Sequence, residues 1–292
     1  MGSVKIVVCV KHVPDPQGEP RIEAGRIVRG EDDILNDLDE YAVEEAIQLI
    51  ENTSGAAGAG DAAGADSDNP SNSSGEVIAL TVGPEDSEEA VLRSLQMGAT
   101  RGVHVCDDAL EGLDVVGTAK VLAAAIAQIQ SESGEVDLVF TGLASADGMT
   151  SLLPAALAAE LGFPLLSNAN ELTFEAGGPG DHGGVCGCVH VKRTVDGFTE
   201  EISAPLPAVV SVTDQINEPR YPNFKTMRAA REKPLDTLTL ADLADFVEES
   251  VLQSALEVVE ASERTRAEDS QIVQDTGNGG ELLAEYLFSI RS

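Results

Sequence analysis

The chain is poor in basic and aromatic side chains and contains no tryptophan. Its 292 residues include 18 lysines and arginines against 51 aspartates and glutamates, for a formal net charge of −33. Because a phosphate backbone is bound by a basic face, this balance argues against a nucleic acid as partner. A surface this acidic repels itself at low salt and stays soluble at high salt, so we expect a halophilic, haloarchaeal-like source.

Long apolar runs are also absent from the sequence. The longest runs, such as 121–129, are too short to span a bilayer. The N-terminal segment lacks the long apolar core of a signal peptide. We therefore expect a cytoplasmic protein that is not itself membrane-spanning. Cys186 and Cys188 are spaced wrongly for a zinc or redox pair, so we interpret them as ordinary strand residues.

Strands and helices alternate through the first half of the chain. The strand-like runs are apolar on both faces, which is typical of a parallel sheet covered by helices on both sides. This alternation favours an α/β fold. The predicted strands are 4–10, 77–82, 102–106 and 137–141, and the predicted helices are 36–51, 87–97, 114–130 and 151–161.

Beyond residue 164 the pattern becomes antiparallel. Three strand-like segments follow one another, and Asp196 with Gly197 is a residue pair that favours a tight hairpin turn. An apolar strand then leads into a short basic helix within 206–234. The predicted hairpin strands are 171–174, 185–194 and 198–202, and 177–184 is predicted to be a loop.

Two segments depart from this pattern. Residues 52–75 consist almost entirely of Gly, Ala, Ser, Asn and Asp, which predicts a flexible acidic insertion. The chain beyond 240 is acidic and weakly patterned, and it ends in an apolar helix at 280–290. We therefore predict one α/β domain over 1–235 and a C-terminal arm over 236–292 that embraces a partner.

The segment after the strand at 137–141 is the sharpest candidate site. Ligands of open α/β sheets lie beyond the carboxyl ends of the strands, and small residues here would let backbone N–H groups approach an anion. The segment is neither a Walker A loop nor a GxGxxG fingerprint, so an ordinary loop with Thr150 or Ser151 as helix cap is an equal alternative. No nucleophile or acid–base motif is recognisable, which favours a binding subunit. The candidate residues are Gly142, Leu143, Ala144, Ser145, Ala146, Asp147, Gly148, Met149, Thr150, Ser151, Leu152 and Leu153.

A basic element stands out on this acidic chain between 206 and 234. Several cations fall within one helix-sized segment, next to aromatic side chains. A bulky apolar tip flanked by cations suits a partner groove with an acidic rim. The predicted docking residues are Arg220, Tyr221, Phe224, Lys225, Arg228 and Arg231.

Several segments resemble the electron transfer flavoprotein beta subunit. KIVVCVKHVPD, from Lys5 to Asp15, resembles the first strand and loop of that family, and NDLDEYAVEEA, from Asn36 to Ala46, resembles its first helix. The stretch 191–210 resembles its charged hairpin followed by Leu-Pro-Ala-Val-Val, and NEPRY at 217–221 resembles the family's sequence motif at every position. The resemblance covers nearly the whole chain except 52–75 and much of the region after 240.

The resemblance implies a Rossmann-type, α-hydrolase-like parallel-sheet domain that binds an adenine nucleotide, with an added antiparallel hairpin and an extended C-terminal arm. It implies a heterodimer with an alpha subunit that holds most of the redox FAD, while this subunit holds AMP or a second FAD. The loop 142–153 would wrap the ribose and phosphate. The other residues that the resemblance assigns to the pocket are Cys9, Asn36, Asp37, Leu38, Asp39 and Val82.

The loop also departs from the family pattern. Leu143, Ala144 and Leu152 replace an Arg or Lys and two Gln positions, and Met149 stands where Asp is usual, while Asp147 and Gly148 are kept. The phosphate is therefore expected to be bound mainly by backbone N–H groups. Phe224 occupies the position of the family's anchor leucine.

Three functions follow as alternatives. The first is an electron carrier that takes electrons from dehydrogenases, such as acyl-CoA dehydrogenases, onto FAD and passes them toward a membrane quinone oxidoreductase. The second is the bifurcating type, in which this subunit holds a second FAD and oxidises NADH. The third is a stand-alone adenine-nucleotide-binding module without a redox role.

Overall fold

The structure, a computed structural model, describes residues 3–18, 21–23, 25–30, 32–57, 75–179, 185–256, 258–262 and 272–290. In chain order the strands are β1 (Val4–Cys9), β2 (His12–Pro14), β3 (Ile22–Glu23), β4 (Arg26–Ile27), β5 (Asp33–Leu35), β6 (Gly75–Val82), β7 (Arg101–Val105), β8 (Leu138–Gly142), β9 (Leu165–Ala169), β10 (Glu171–Pro179), β11 (Val185–Val195), β12 (Phe198–Pro205), β13 (Ala208–Val212) and β14 (Leu235–Leu238). The helices are α1 (Asp37–Ala57), α2 (Glu88–Met97), α3 (Val115–Ser133), α4 (Leu153–Leu161), α5 (Phe224–Ala230) and α6 (Gly279–Ser289).

A seven-stranded parallel sheet forms the centre of the fold, in the order β14-β7-β6-β1-β8-β13-β9. Helices α1 and α2 pack on one face, and α3 and α4 pack on the other. Because both faces are covered, every residue of β1 and β8 is buried, as the apolar runs predicted. The predicted α/β class is thereby confirmed.

Strands β10, β11 and β12 form a separate antiparallel sheet, as the hairpin pattern predicted. It packs on the α1 face of the main sheet through Val189, Val191 and Ala204. The turn between β11 and β12 uses Asp196 and Gly197, both with positive φ. None of the helices in the described part of the chain is long and apolar enough to cross a membrane.

Several predicted boundaries were wrong. Helix α1 continues to Ala57, into the predicted insertion, and Thr53 Oγ1 donates to the carbonyl oxygen of Leu49 at 2.7 Å within it. The rest of the insertion, 58–74, lies outside the described residues. Strand β10 extends into the predicted loop because Pro179 still pairs with Val185. The predicted loop residues 180–184 also lie outside the described residues.

Two strands of the main sheet had not been predicted. Strands β9 and β14 lie at its two edges and are short, with few β-branched residues, so their sequences give little strand signal. Strand β14 crosses the predicted domain boundary at 235/236, and Leu243 and Val251 complete the core on the α3 face. The division of the chain into domain and arm stays a prediction, and the core reaches at least as far as Val251.

Candidate nucleotide site and docking surface

The loop 142–153 leaves the carboxyl end of β8 beside the carboxyl end of β1. The chain crosses from β7 to β8 past β6 and β1, so the direction of winding reverses between β1 and β8. Open α/β sheets bind ligands at such a reversal, in the crevice outside the carboxyl ends of the strands. The sheet therefore places the candidate loop where a ligand site is expected.

Asn36 ties this loop to the start of α1. Its side-chain Nδ2 donates to the carbonyl oxygen of Ala144 at 2.9 Å, and its Oδ1 accepts from the backbone N–H of Ala146 at 3.0 Å. The residue is 1% exposed. Because one buried amide satisfies both a donor and an acceptor of the loop backbone, Asn36 fixes the path of the loop across the end of the sheet.

Gly142 and Asp39 are in close contact below the loop. A Cβ placed on Gly142 would lie 2.4 Å from Asp39 Oδ1 and 2.8 Å from the backbone carbonyl of Leu38, so the approach of α1 to β8 requires glycine. The Asp39 carboxylate accepts from the backbone N–H of Lys11 at 2.9 Å. Burial raises the pKa of Asp39 to about 7, although hydrogen bonds from Asn36, Lys11 and Gly142 act in the opposite direction.

Asp147 forms ion pairs with two basic side chains from distant parts of the chain. Nζ of Lys11, which follows β1, lies 2.9 Å from Oδ1 and 2.8 Å from Oδ2 of Asp147, and Arg29, between β4 and β5, donates to Oδ2. Burial acts to raise the pKa of Asp147, but the charges and hydrogen bonds of its partners outweigh it and lower the pKa to about 2. Asp147 is therefore ionised at neutral pH.

Cys9 and Thr141 are register partners at the ends of β1 and β8. Because side chains alternate along a strand, both point to the α3 face, as Val7 and Val139 do two residues earlier. The Thr141 hydroxyl is buried and has no hydrogen-bond partner among the described residues. Buried hydroxyls are normally satisfied, so a polar ligand atom here would complete its bonding. Burial raises the pKa of the Cys9 thiol, which makes Cys9 a neutral contact.

The second half of the loop enters α4 without a side-chain cap. The N-cap residue is Leu152, so the expectation that Thr150 or Ser151 caps the helix was wrong. Instead a proline follows in the first turn, where its missing N–H costs nothing. Met149 and Ser151 have positive φ values of 48° and 50°, a conformation that side chains usually avoid.

The structure brings most of the predicted pocket residues to one edge of the sheet. Asp37 is exposed and Leu38 half-buried in the first turn of α1, and half-buried Val82 ends β6 on the α3 face. Their assignment to a nucleotide stays a prediction. Lys11, Arg29 and Thr141 were not among the predicted site residues. The place of Lys11 after a predicted strand was a usable signal, whereas nothing local marks Arg29.

The predicted docking helix is short but well capped. Asn223 Oδ1 accepts from the N–H of Thr226 at 3.1 Å, and Thr226 Oγ1 accepts from the N–H of Asn223 at 3.0 Å, which is a capping box. Tyr221 and Phe224 are 89% and 81% exposed. The remaining exposed predicted residues of this surface are Lys225, Arg228 and Arg231.

Arg220, also predicted to dock, is engaged within the chain. Its Nη1 and Nη2 donate to the Glu51 carboxylate at 2.8 and 2.9 Å, and its Nε and Nη2 donate to Glu44. Asn217 adds hydrogen bonds to Glu45 at 3.0 Å and to the carbonyl oxygen of Tyr41 at 3.1 Å. These contacts fasten the segment that precedes α5 to α1.

Helix α6 exposes apolar side chains along its length. None of its residues is buried, although the helix contains two aromatic residues and several aliphatic ones. A contiguous exposed apolar surface of this kind is typical of an interaction site. The exposed residues are Leu282, Leu283, Tyr286, Leu287, Phe288 and, just beyond the helix, Ile290.

Comparison with known proteins identifies relatives that match nearly the whole chain. A family model described as "Electron transfer flavoprotein domain" matches residues 25–243. The chain is 35% identical to the electron transfer flavoprotein subunit beta of Mycobacterium tuberculosis over 286 residues, which is 97% of each chain. It is 29% identical to the Bacillus subtilis subunit over 99% of this chain and 98% of the relative. The mouse subunit is 28% identical over 94% and 96%.

Proposed function

The chain belongs to the electron transfer flavoprotein family as a beta subunit, and from that premise we propose that it pairs with an alpha subunit to carry electrons from flavin dehydrogenases, such as acyl-CoA dehydrogenases, toward a membrane quinone oxidoreductase. The carrier is FAD, held mainly by the alpha subunit. The beta subunit binds AMP or a second FAD and recognises the electron donors. It works in the cytoplasm of a halophile.

One observation carries the nucleotide part of this proposal. At the reversal between β1 and β8, Asn36 holds the loop 142–153 across the end of the sheet, and the buried Thr141 hydroxyl lacks a partner among the described residues. A polar ligand at this edge of the sheet would satisfy that hydroxyl, and Gly148 in the loop is exposed. An adenine nucleotide supplies both a polar base and an anion for the loop N–H groups.

The docking part rests on the exposed tip of α5. Phe224 is 81% exposed at a capped helix start and is followed by the cations Lys225 and Arg228. A large apolar side chain that fills a partner's pocket typically dominates binding, while surrounding charges guide the approach. Arg220 contributes by anchoring this segment to α1, since its guanidinium already binds Glu44 and Glu51.

The partner subunit is proposed to cover α6. Its apolar residues are exposed, and the alpha subunit is the partner that the family implies. The arm that reaches for it would start after the core residue Val251, later than the sequence predicted. Expressed alone, the chain should then be poorly stable and colourless, and co-expression with the alpha subunit should improve its stability. A fully folded monomer indifferent to the alpha subunit would contradict this arrangement.

The deciding experiment is the cofactor content of the co-expressed complex. The complex is denatured, and FAD and AMP are quantified by mass spectrometry. One FAD with one AMP supports the simple carrier, and two FAD with reduction by NADH supports the bifurcating type. A chain that binds adenine nucleotide but never co-purifies with a flavin-bearing partner would instead be a stand-alone module.

The loop is tested within the same complex by Gly148→Val. The branched side chain would block approach to the loop backbone, so nucleotide retention in this subunit should be lost while the FAD of the alpha subunit remains. Gly162→Val, at a site with no atom within 4 Å of the added Cβ but a φ of +68°, is a control for backbone strain away from the loop. Retention of the nucleotide by Gly148→Val would place the ligand elsewhere.

A further inference from the structure

We propose that Lys11 and Arg29 together bind the phosphate attached to the adenosine of the nucleotide, and that Asp147 positions them. The inference rests on the proposed nucleotide site and deepens it. The phosphate group in question is common to AMP and FAD. Two charged ligands from distant segments would thereby assist a loop that was predicted to bind the phosphate mainly through its backbone.

The loop has no cationic side chain of its own. Between 142 and 153 the single charged residue is Asp147, which is negative. A phosphate brought to this loop would face a carboxylate on a chain with a net charge of −33. An anion is stable at such a place only if cations compensate its charge, so they must come from other parts of the chain.

Lys11 and Arg29 reach the loop from two different segments. Besides contacting Asp147, Lys11 Nζ donates to Ser145 Oγ at 3.4 Å. Arg29 Nη1 donates to the carbonyl oxygen of His12 at 2.8 Å, which fixes the guanidinium beside the residue that follows Lys11. Both cationic groups therefore lie next to the 145–148 part of the loop.

Lys11, Arg29, Asp33 and Asp147 form a cluster whose carboxylates are more buried than its cations, so its solvent-facing side is positively charged. The Asp147 side chain is 7% exposed, and that of Asp33, whose Oδ2 lies 3.9 Å from Arg29 Nη1, is 6% exposed. The side chains of Lys11 and Arg29 are 43% and 38% exposed. The formal charges of the four groups cancel, but an anion arriving from solvent meets the two cations before the two buried carboxylates.

Arg29 also retains hydrogen-bonding capacity. Its guanidinium has five N–H donors, more than its contacts with described residues occupy. The three N–H donors of Lys11 face three acceptor oxygens, of which Ser145 Oγ is the most distant at 3.4 Å. The buried Asp147 holds the two cations at a fixed separation, so little side-chain freedom remains to be lost when a phosphate binds. This arrangement explains how the loop can dispense with the Arg or Lys that Leu143 replaces.

The test measures binding with and without the phosphate. The full chain is co-expressed with the alpha subunit, freed of the nucleotide in this subunit while the alpha subunit keeps its FAD, and titrated with AMP, FAD and adenosine. Lys11→Gln and Arg29→Gln should each weaken AMP and FAD binding about tenfold, and the double variant about a hundredfold, because each removes a charged hydrogen bond. Adenosine, which lacks the phosphate, should bind all variants within about twofold of wild type.

Arg26→Gln is the matched control. Arg26 lies in the neighbouring strand β4 and pairs with exposed Glu111 at 2.9 Å, away from Asp147. It should leave all three affinities unchanged, and Lys11→Arg, which keeps the charge, should restore most of the AMP affinity lost in Lys11→Gln.

Two results would overturn the proposal: AMP affinity of the double variant equal to wild type, or equal losses for adenosine and AMP. If wild type binds none of the three ligands, the nucleotide site itself is wrong and this inference falls with it. A second measurement needs no variant. In wild type, rising KCl should weaken AMP binding more than adenosine binding, and equal salt dependence would count against the phosphate contact.

Discussion

Arg220 binds Glu44 through both carboxylate oxygens, with Nε donating to Oε2 at 2.8 Å and Nη2 donating to Oε1 at 3.0 Å. Glu44 lies in α1, and the first turn of the same helix forms part of the candidate nucleotide site. Arg220 lies four residues before Phe224, which is at the exposed N-terminal end of α5. Helix α1 therefore supports the nucleotide loop at its start and the docking segment along its length, which ties two proposed functional surfaces to one rigid element.

Breaking this anchor should destabilise the protein. Arg220→Met leaves Glu44, whose side chain is 3% exposed, without its counter-charge. Removing one partner of a fully buried pair costs several kcal/mol, but Arg220 is 34% exposed, so we expect a loss of about 2 kcal/mol in the free energy of unfolding. Urea denaturation at constant high salt measures it. Lys192→Met, which breaks an exposed pair with Glu171, should stay within about 0.5 kcal/mol, and similar losses in both variants would show that the anchor is not special.

The docking prediction has a matched aromatic control. Phe224→Ala should slow electron transfer from dehydrogenases to the complex while leaving flavin content intact, since truncating a central apolar anchor typically costs about 2 kcal/mol of binding. Phe198, the first residue of β12, is 73% exposed, close to the 81% of Phe224. Phe198→Ala should transfer electrons like wild type. Normal rates for Phe224→Ala with every donor would refute docking at α5.

Gly142 should not tolerate a methyl group. In Gly142→Ala the new Cβ would meet Asp39 and the Leu38 backbone, so α1 must move and the free energy of unfolding should fall by about 1–3 kcal/mol. Gly148→Ala is the comparison, because its Cβ would lie 3.1 Å from Ser145 Oγ, a group that can rotate away. Thermal unfolding of both variants measures the difference. Equal stability would mean that the contact between α1 and β8 is looser than the structure indicates.

Asp39 should make stability depend on pH. Its pKa is raised from 3.8 to about 7 by burial, so between these values the folded protein holds a proton that the unfolded chain has released. The Asp39 contribution is therefore fully present below about pH 4 and is lost as pH rises to about 7, with a slope approaching 1.4 kcal/mol per pH unit.

Comparison of wild type with Asp39→Asn isolates that contribution from the many other carboxylates. Free energies of unfolding are measured between pH 4 and 8 at constant salt. The stability of wild type minus that of the variant should decrease as pH rises through this window and level off above pH 7. A difference that is flat, or that grows with pH, would show that Asp39 titrates like an exposed carboxylate.

Low salt should destabilise the whole chain. With a net charge of −33, acidic groups repel one another once screening is removed, so the melting temperature should fall when KCl is lowered from molar to about 0.1 M, where the Debye length reaches about 10 Å. Sucrose matched for osmolality is the control, because it lowers water activity without screening charge. An unchanged melting temperature at low KCl would contradict the halophilic interpretation.

The sequence by itself determined the class of the fold. The runs at 4–10 and 137–141 are apolar on both faces, and such strands are stable only in a sheet covered on both sides, which the buried β1 and β8 confirm. The hairpin turn at Asp196 and Gly197 was likewise readable, because few residue pairs accept its positive φ values. The candidate loop could be found for the same reason, since it follows a strand of this sheet.

Only the tertiary structure decided which side chains meet at that loop. Lys11 and Arg29 are 136 and 118 residues from Asp147 in sequence, and no local pattern encodes their convergence. Strand β14 escaped the sequence analysis because its place at the sheet edge depends on pairing with β7, not on its own composition. Arg220 was predicted to dock because it is a basic residue next to Tyr221. In the structure its guanidinium binds buried Glu44 and half-exposed Glu51 on α1. The spacing of apolar residues in a segment indicates which of its faces packs against the core. Ion pairs between distant segments depend instead on how the whole chain packs.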